Sequence, residues 1–264
     1  MPNARDTQGV PPAHKVYLLG DTGSGKTTQF LTFPGPRFAY LFDPNAILSL
    51  RGQDVDYEEF LPDRLNLSVK PLSAKAQSDK TTNHQSNTYV EFEKDFNEKL
   101  SSGFFDKYKS VMFDSGTTLL GLIMDRVLTL NGRAGSWPQQ DDYGPQMNVF
   151  LNICRTLTSL GKTVLMTGHL DMKKDELTGR IFRNPMVTGQ LRTKLPLLFS
   201  DIFICEVEND GQGNMKHKVQ TVPDRITTCV RTTVKGLQPF EDVTLDWKKS
   251  LEGQGVGGIL KKGV

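Results

Sequence analysis

Gly20-Asp21-Thr22-Gly23-Ser24-Gly25-Lys26-Thr27 fits the pattern G-x-x-x-x-G-K-[ST] at every fixed position. Each part has a physical task. The three glycines let the backbone turn with its N–H groups pointing inward, a cradle for phosphate oxygens. Lys26 can reach the β- and γ-phosphates, and the Thr27 hydroxyl can ligate Mg²⁺. Thr28 continues into the helix that the loop opens, whose N-terminal dipole favours the same anion. Residues 15–19 read as a short buried strand entering the loop, and residues 27–33 as a short helix stopped by Pro34-Gly35-Pro36. Strand, loop and helix in that order point to a bound nucleoside triphosphate. A glycine-rich turn that matches by chance is the alternative.

A second apolar strand, Ser110-Val111-Met112-Phe113-Asp114-Ser115, ends in a carboxylate roughly ninety residues after the loop, the spacing typical of the Walker B aspartate. A buried strand end fixes Asp114 near a metal, and the metal offsets the cost of burying the charge. Helix capping is the alternative role, though Ser115 or Gly116 fits a cap better.

The 264 residues suit one α/β domain, and 37% hydrophobic residues with 15 Phe are enough for a core. A net charge of +2 gives no global basic field, so any nucleic-acid site must be a local patch. Cys154, Cys205 and Cys229 lie far apart and read as reduced thiols. No apolar run reaches membrane-spanning length and no signal-peptide core is seen near the start, so the expected compartment is the cytoplasm of a bacterium or an infected host cell.

Three parts are expected: a flexible arm over 1–13, a core over 14–250 and a flexible glycine-rich tail over 251–264. Within the core, further strands are predicted at 38–43, 65–72, 162–167, 201–207, 216–221 and 226–231. Helices are predicted from Thr88, at 117–130, from Pro145 to Gly161 and at 191–199. Residues 53–63 read as an acidic stretch, 73–87 as a mobile polar loop, and 131–143 and 171–189 as loops. The alternation implies a mostly parallel central sheet flanked by helices, with a C-terminal antiparallel hairpin extension. Ligands of such sheets sit at the C-terminal strand ends, where the phosphate loop, Asp43, Asp114 and His169 should converge.

This order of motifs resembles the RecA-type P-loop ATPase core, and more closely the phage ATPases of that superfamily that act in single-strand annealing and recombination. The resemblance spans roughly residues 15–232. Its most specific part is Val164–His169, which ends where RecA-type proteins carry a nucleotide-sensing Gln, followed by Asn184-Pro185-Met186-Val187-Thr188-Gly189, similar to the family's second DNA-binding loop. Residues 131–143 fall where the first such loop would be. By resemblance, both loops would touch single-stranded DNA from the axis of a homo-oligomeric ring or filament. Lys173, Lys174, Arg180 and Arg183 could neutralise phosphates, and Trp137, Tyr143 and Phe182 could stack on bases; a solvated basic surface and a self-packed Trp137 are the plain alternatives.

Two departures stand out. Where the family has a Glu that activates water, this chain reads Asp43-Pro44-Asn45, so Asp43, Glu58 or Glu59 must substitute, or hydrolysis is slow. The family's trans-acting cations map onto Lys216 and Lys218, with Arg225 and Arg231 close by, although such residues are more often plain surface. His169 is either a γ-phosphate sensor or a strand-end His bonded to backbone. The resemblance implies ATP and Mg²⁺ as ligands, a DNA-dependent ATPase, slow if the departure at Asp43-Pro44-Asn45 leaves it without a base, annealing or strand exchange on single-stranded DNA, and a single-stranded DNA-binding protein as a further partner. A nucleotide or small-molecule kinase, with 171–189 as its lid, and a ring motor of helicase or packaging type are the competing readings.

Overall fold

The computed structural model describes residues 13–62, 86–209, 211 and 213–262. In chain order these form β1 (Lys15–Gly20), α1 (Lys26–Gln29), β2 (Arg37–Leu41), β3 (Asp56–Glu59), α2 (Thr88–Ser101), β4 (Ser110–Asp114), α3 (Gly116–Leu130), α4 (Tyr143–Ser159) and β5 (Thr163–Gly168). Then follow β6 (Leu170–Lys174), β7 (Ile181–Pro185), α5 (Leu191–Lys194), β8 (Asp201–Asn209), β9 (Met215–Gln220), β10 (Phe240–Asp242) and α6 (Gly255–Lys261). Eight strands make one sheet in the order β10-β9-β8-β1-β5-β4-β2-β3. All pairs from β8 to β3 are parallel, and β9 and β10 add to one edge antiparallel, as expected.

Alternation along the strands explains why they read as continuous apolar runs: both faces are buried. Tyr17, Leu19, Tyr40, Phe42, Phe113 and Ile202 face the layer of α2, α3 and α4. Val16, Leu18, Ala39, Leu41, Met112 and Phe203 face the opposite side, where α1 and α6 pack. On the first face α2 brings Phe92 and Phe96 edge-on to Tyr40, and the Tyr40 hydroxyl reaches Asp95 at 2.6 Å.

Four expectations need correction. The acidic stretch contains β3, an edge strand whose four residues are all exposed, so no apolar alternation marks it. Residues 171–189 are not simply a loop: β6 and β7 form an antiparallel hairpin, turned by Asp175, whose carboxylate accepts the N–H groups of Leu177 and Thr178 at 2.9 and 3.1 Å. No strand forms over 226–231. Asp224 takes the N–H groups of Ile226 and Thr227 that a ladder would need, a single bridge joins Arg231 to Ile202, and β10 supplies the edge instead. The glycine-rich end forms α6, with Val256, Ile259 and Leu260 buried against the second core, so the core extends past residue 250. The strand expected at 65–72, most of the polar loop over 73–87 and nearly all of the arm over 1–13 lie outside the described residues.

Glycine is what lets α6 dock. A Cβ at Gly257 would lie 1.9 Å from the Thr32 carbonyl oxygen, while the Gly257 N–H donates to Thr32 Oγ1 at 2.8 Å. Gly257→Ala should therefore lift α6 off the turn after α1 and cost about 1–3 kcal/mol, read as a lowered denaturant midpoint and faster C-terminal proteolysis.

At the far end of the sheet, buried Asp201 accepts from His14 Nδ1 (2.8 Å), Ser200 Oγ (2.7 Å), Thr232 Oγ1 (2.8 Å) and the Thr233 N–H (2.7 Å). Burial pushes its carboxyl up, but these bonds outweigh it and bring the pKa from 3.8 down to about 2. The folded value lies below the unfolded one, so the stabilisation is complete above pH 4 and is lost as pH falls toward 2, about 2 kcal/mol in all. In Asp201→Asn that acid-dependent component of stability should vanish from unfolding curves taken across the same window.

Candidate active site

β1 delivers the chain into the loop at the C-terminal edge of the sheet. Gly25 caps α1 in the left-handed conformation, with φ 87° and ψ 12°, and a Cβ there would lie 3.0 Å from His217 Nδ1. Lys26 is buried, and its Nζ donates to the carbonyls of Gly20 (2.9 Å) and Asp21 (2.8 Å). Burial draws its ammonium below the usual lysine range, with Asp114 and Asp43 among the groups pulling the other way. Ser24 Oγ donates to the Asp21 carbonyl and Thr28 Oγ1 to the Gly25 carbonyl, each at 2.7 Å, which closes the turn.

Asp114, 2% exposed, meets this loop from β4. Its Oδ2 accepts from Thr27 Oγ1 at 2.7 Å and its Oδ1 from the Thr167 hydroxyl of β5. Burial raises its pKa; the two hydroxyls and Lys26 pull it back, Asp43 adds repulsion, and the net shift is upward. The capping role falls to the next residue, Ser115, whose Oγ accepts the Thr118 N–H at 3.2 Å.

Asp43 completes the cluster from the end of β2. Its Oδ1 accepts from Ser115 Oγ at 2.9 Å and from the Thr118 hydroxyl, and its Oδ2 lies 3.8 Å from His169 Nε2. Burial raises this carboxyl, but His169 beside it and the bonds from Thr118 and Ser115 prevail and hold it below the usual aspartate range. The His169 N–H donates to Thr117 Oγ1 at 3.0 Å. The four strand-end groups thus converge. Of the three candidate acids, only Asp43 joins them: Glu58 pairs with Lys99 at 3.1 Å, and Glu59 is an exposed residue of edge strand β3.

A cavity of about 470 Å³ opens beside the loop, lined by Gly23, Lys26 and Thr27 together with His217, Thr244 and Trp247. These last three are absent from the sequence-level candidates, and the hint was faint: they meet α1 only because β9 and the chain after β10 return to it. His217 Nδ1 sits 3.1 Å from the Ser24 carbonyl, and Gln29 Nε2 donates to the Val243 carbonyl at 2.8 Å. The cradle that a Cβ would fill, the buried lysine and the Thr27–Asp114 pair fit a triphosphate and its Mg²⁺, whose coordination would be completed by phosphate oxygens and water.

The outlying candidates divide. Trp137 is 75% exposed on a segment anchored by fully buried Asp142, which accepts from Asn131 Nδ2 (2.9 Å), the Gln139 N–H (2.6 Å) and Arg133. On the β6–β7 hairpin Lys174 is exposed, Lys173 lies 3.7 Å from Asp171, and the Arg180 guanidinium sits 4.8 Å over the Phe182 ring. Arg183 points back to Glu206 and Arg192 to Asp171. Lys218 pairs with Glu208, and exposed Lys216 shares its face of β9, opposite His217 and away from the phosphate loop.

A mostly parallel sheet carrying this loop on β1, with an aspartate at the end of β4 one strand away across β5, defines a P-loop ATPase core. The AAA domain family model matches residues 13–225, and the chain belongs to that family; membership implies nucleotide binding. Two solved structures are similar at 14% identity: flagellar accessory protein FlaH from Methanocaldococcus jannaschii, with 93% of each chain covered and a TM-score of 0.40, and a KaiC-like protein from Pyrococcus horikoshii OT3, with 80% of each covered and a TM-score of 0.38. No curated protein matches. Among the described residues, no helix is long and apolar enough to cross a membrane.

Thr167→Val would leave the buried Asp114 Oδ1 without its hydroxyl donor. Urea unfolding at neutral pH should show a loss of about 1–3 kcal/mol, and the loss should shrink in acid as Asp114 becomes protonated.

Proposed function

We propose that this ATPase binds ATP with Mg²⁺ in the cavity beside α1, hydrolyses it slowly, and uses the bound state to control assembly on single-stranded DNA for annealing or strand exchange. The loop amides and Lys26 hold the phosphates, and Thr27 and Asp114 hold the metal. When bound, Mg²⁺ supplies charge neutralisation at the β- and γ-phosphate oxygens. Asp43 orients the attacking water. A carboxylate kept below its usual range is a weak proton acceptor, which favours slow turnover. A nucleotide that acts through its presence more than its turnover is suited to switching an assembly.

The observation that carries the reading is covalent continuity. His169 faces Asp43, and the next residue, Leu170, opens the β6–β7 hairpin with Lys173, Lys174 and the Arg180–Phe182 stack. A change around Asp43 is therefore transmitted directly to a basic, aromatic hairpin able to meet phosphates and bases without sequence preference. Exposed Trp137 offers a second stacking surface. Arg183, held by Glu206, contributes less than its neighbours. In a homo-oligomeric ring or filament, Lys216 is the freer of the two candidate trans-acting cations, since Lys218 already has a partner. A single-stranded DNA-binding protein is a natural further partner, and three free cysteines suit the reducing cytoplasm.

Fluorescence anisotropy with a labelled single-stranded oligonucleotide at low salt tests this. Binding should require ATP and Mg²⁺, fall about tenfold or more in Lys173→Ala/Lys174→Ala/Arg180→Ala, and weaken steeply with salt. Lys26→Ala should lose ATP binding and, with it, DNA binding. Asp43→Asn should bind ATP normally while phosphate release drops by roughly 10²-fold or more. A wild-type protein that binds ATP but no single-stranded DNA at 50 mM salt or below would end the DNA reading.

A further inference from the structure

The cavity does not stop at the phosphate loop. Its volume of about 470 Å³ is also lined by Met215 and His217 of β9 and by Thr244, Leu245 and Trp247 of the segment between β10 and α6, within the size range of small-ligand sites. This part of the lining has a different chemistry from the loop. Trp247 is 58% exposed and Met215 56%, so a flat indole and a polarisable thioether face solvent where most tryptophans would be covered.

The wall is built in place. Gln29, three residues after Lys26, donates to the Val243 carbonyl at 2.8 Å and accepts the Val256 N–H at 2.9 Å, so one side chain of α1 ties down both ends of the segment bearing Trp247. Between those ties, Gln254 accepts the Asp246 N–H at 2.8 Å and donates to the Asp246 carbonyl at 3.1 Å. His217 donates its N–H to Thr244 Oγ1 at 2.9 Å, and its ring reaches the Ser24 carbonyl. An exposed indole on a strapped segment, lining the same cavity as a phosphate cradle, is preorganised for a planar ligand.

We infer that the base of the bound nucleoside triphosphate seats against Trp247, so that the chain after β10 forms the base-binding wall of the site. The inference rests on the nucleotide-binding reading above and adds the element that separates a nucleotide from a bare polyphosphate. A base stacked on an aromatic ring gains roughly 1–3 kcal/mol, a factor of roughly 5 to 150 in affinity.

The test compares ATP with inorganic tripolyphosphate by calorimetry, using the full chain with Mg²⁺. Trp247→Ala should weaken ATP by roughly 5- to 150-fold and leave tripolyphosphate unchanged, with Trp247→Phe between. In parallel, ATP should quench the intrinsic tryptophan fluorescence of the wild type, tripolyphosphate should quench it far less, and the ATP quench should be lost in Trp247→Phe. Wild-type affinity for ATP in Trp247→Ala, with an ATP quench that persists in Trp247→Phe, overturns the base wall and leaves nucleotide binding standing. Failure of the wild type to bind either ligand overturns both. Equal weakening of ATP and tripolyphosphate would mean that Trp247 only supports the loop, and also overturns the inference.

Discussion

Asp114 cannot solvate its charge, and the centre of the molecule is arranged around that fact. Its two oxygens are taken by the hydroxyls of Thr27 on α1 and Thr167 on β5, with the Lys26 ammonium as a nearby counter-charge. A buried carboxylate short of donors is costly. The strands that carry these partners are therefore held in fixed register: β4 beside β5, and β5 beside β1. The same demand draws Asp43 in through Ser115 and Thr118, and His169 through Asp43. The cluster is thus a single electrostatic unit. Stability and chemistry compete within it, because Thr27, whose hydroxyl stabilises Asp114, is also the residue that would meet a bound metal.

Much of this was legible from the residues. The glycines and lysine of the loop have few other uses at that spacing, and a strand of five buried residues ending in Asp114 has few places to go in a parallel sheet. The convergence of Asp43, Asp114 and His169 follows from topology, because C-terminal ends of parallel strands lie along one edge. What could not be read were features whose residues carry no periodic apolar signal. β3 is wholly exposed, the β6–β7 hairpin is polar along most of its length, and Asp224 diverts 226–231 from a ladder by a local side-chain bond.

The C-terminal segment was misread for a different reason. Its five glycines look like a flexible tail, yet Gly257 is small because the Thr32 backbone leaves no room for more. Composition cannot separate a glycine chosen for freedom from one chosen for contact. Trp247 escaped notice for a related reason: its neighbours in the site, Gly23 to Thr27 and His217, are distant in sequence, and only the return of the chain after β10 brings them together.

One residue separates β5 from β6. A five-residue strand is about 17 Å long, so the β6–β7 hairpin is a stiff arm hinged within two residues of Asp43's partner. Tilting such an arm by about 10° at its root sweeps its tip through about 3 Å, close to the separation of neighbouring strand residues. The ion pairs from Arg183 to Glu206 and from Arg192 to Asp171 lie near that root. The Arg183 N–H also donates to the Ile226 carbonyl at 2.9 Å, and the Arg180 guanidinium to the Arg225 carbonyl at 3.0 Å, so the arm is tied along its length. The path from the buried carboxylate to the basic tip is thus one strand long, and any tilt at its root would have to strain the bonds that hold the hairpin to the 225–226 segment.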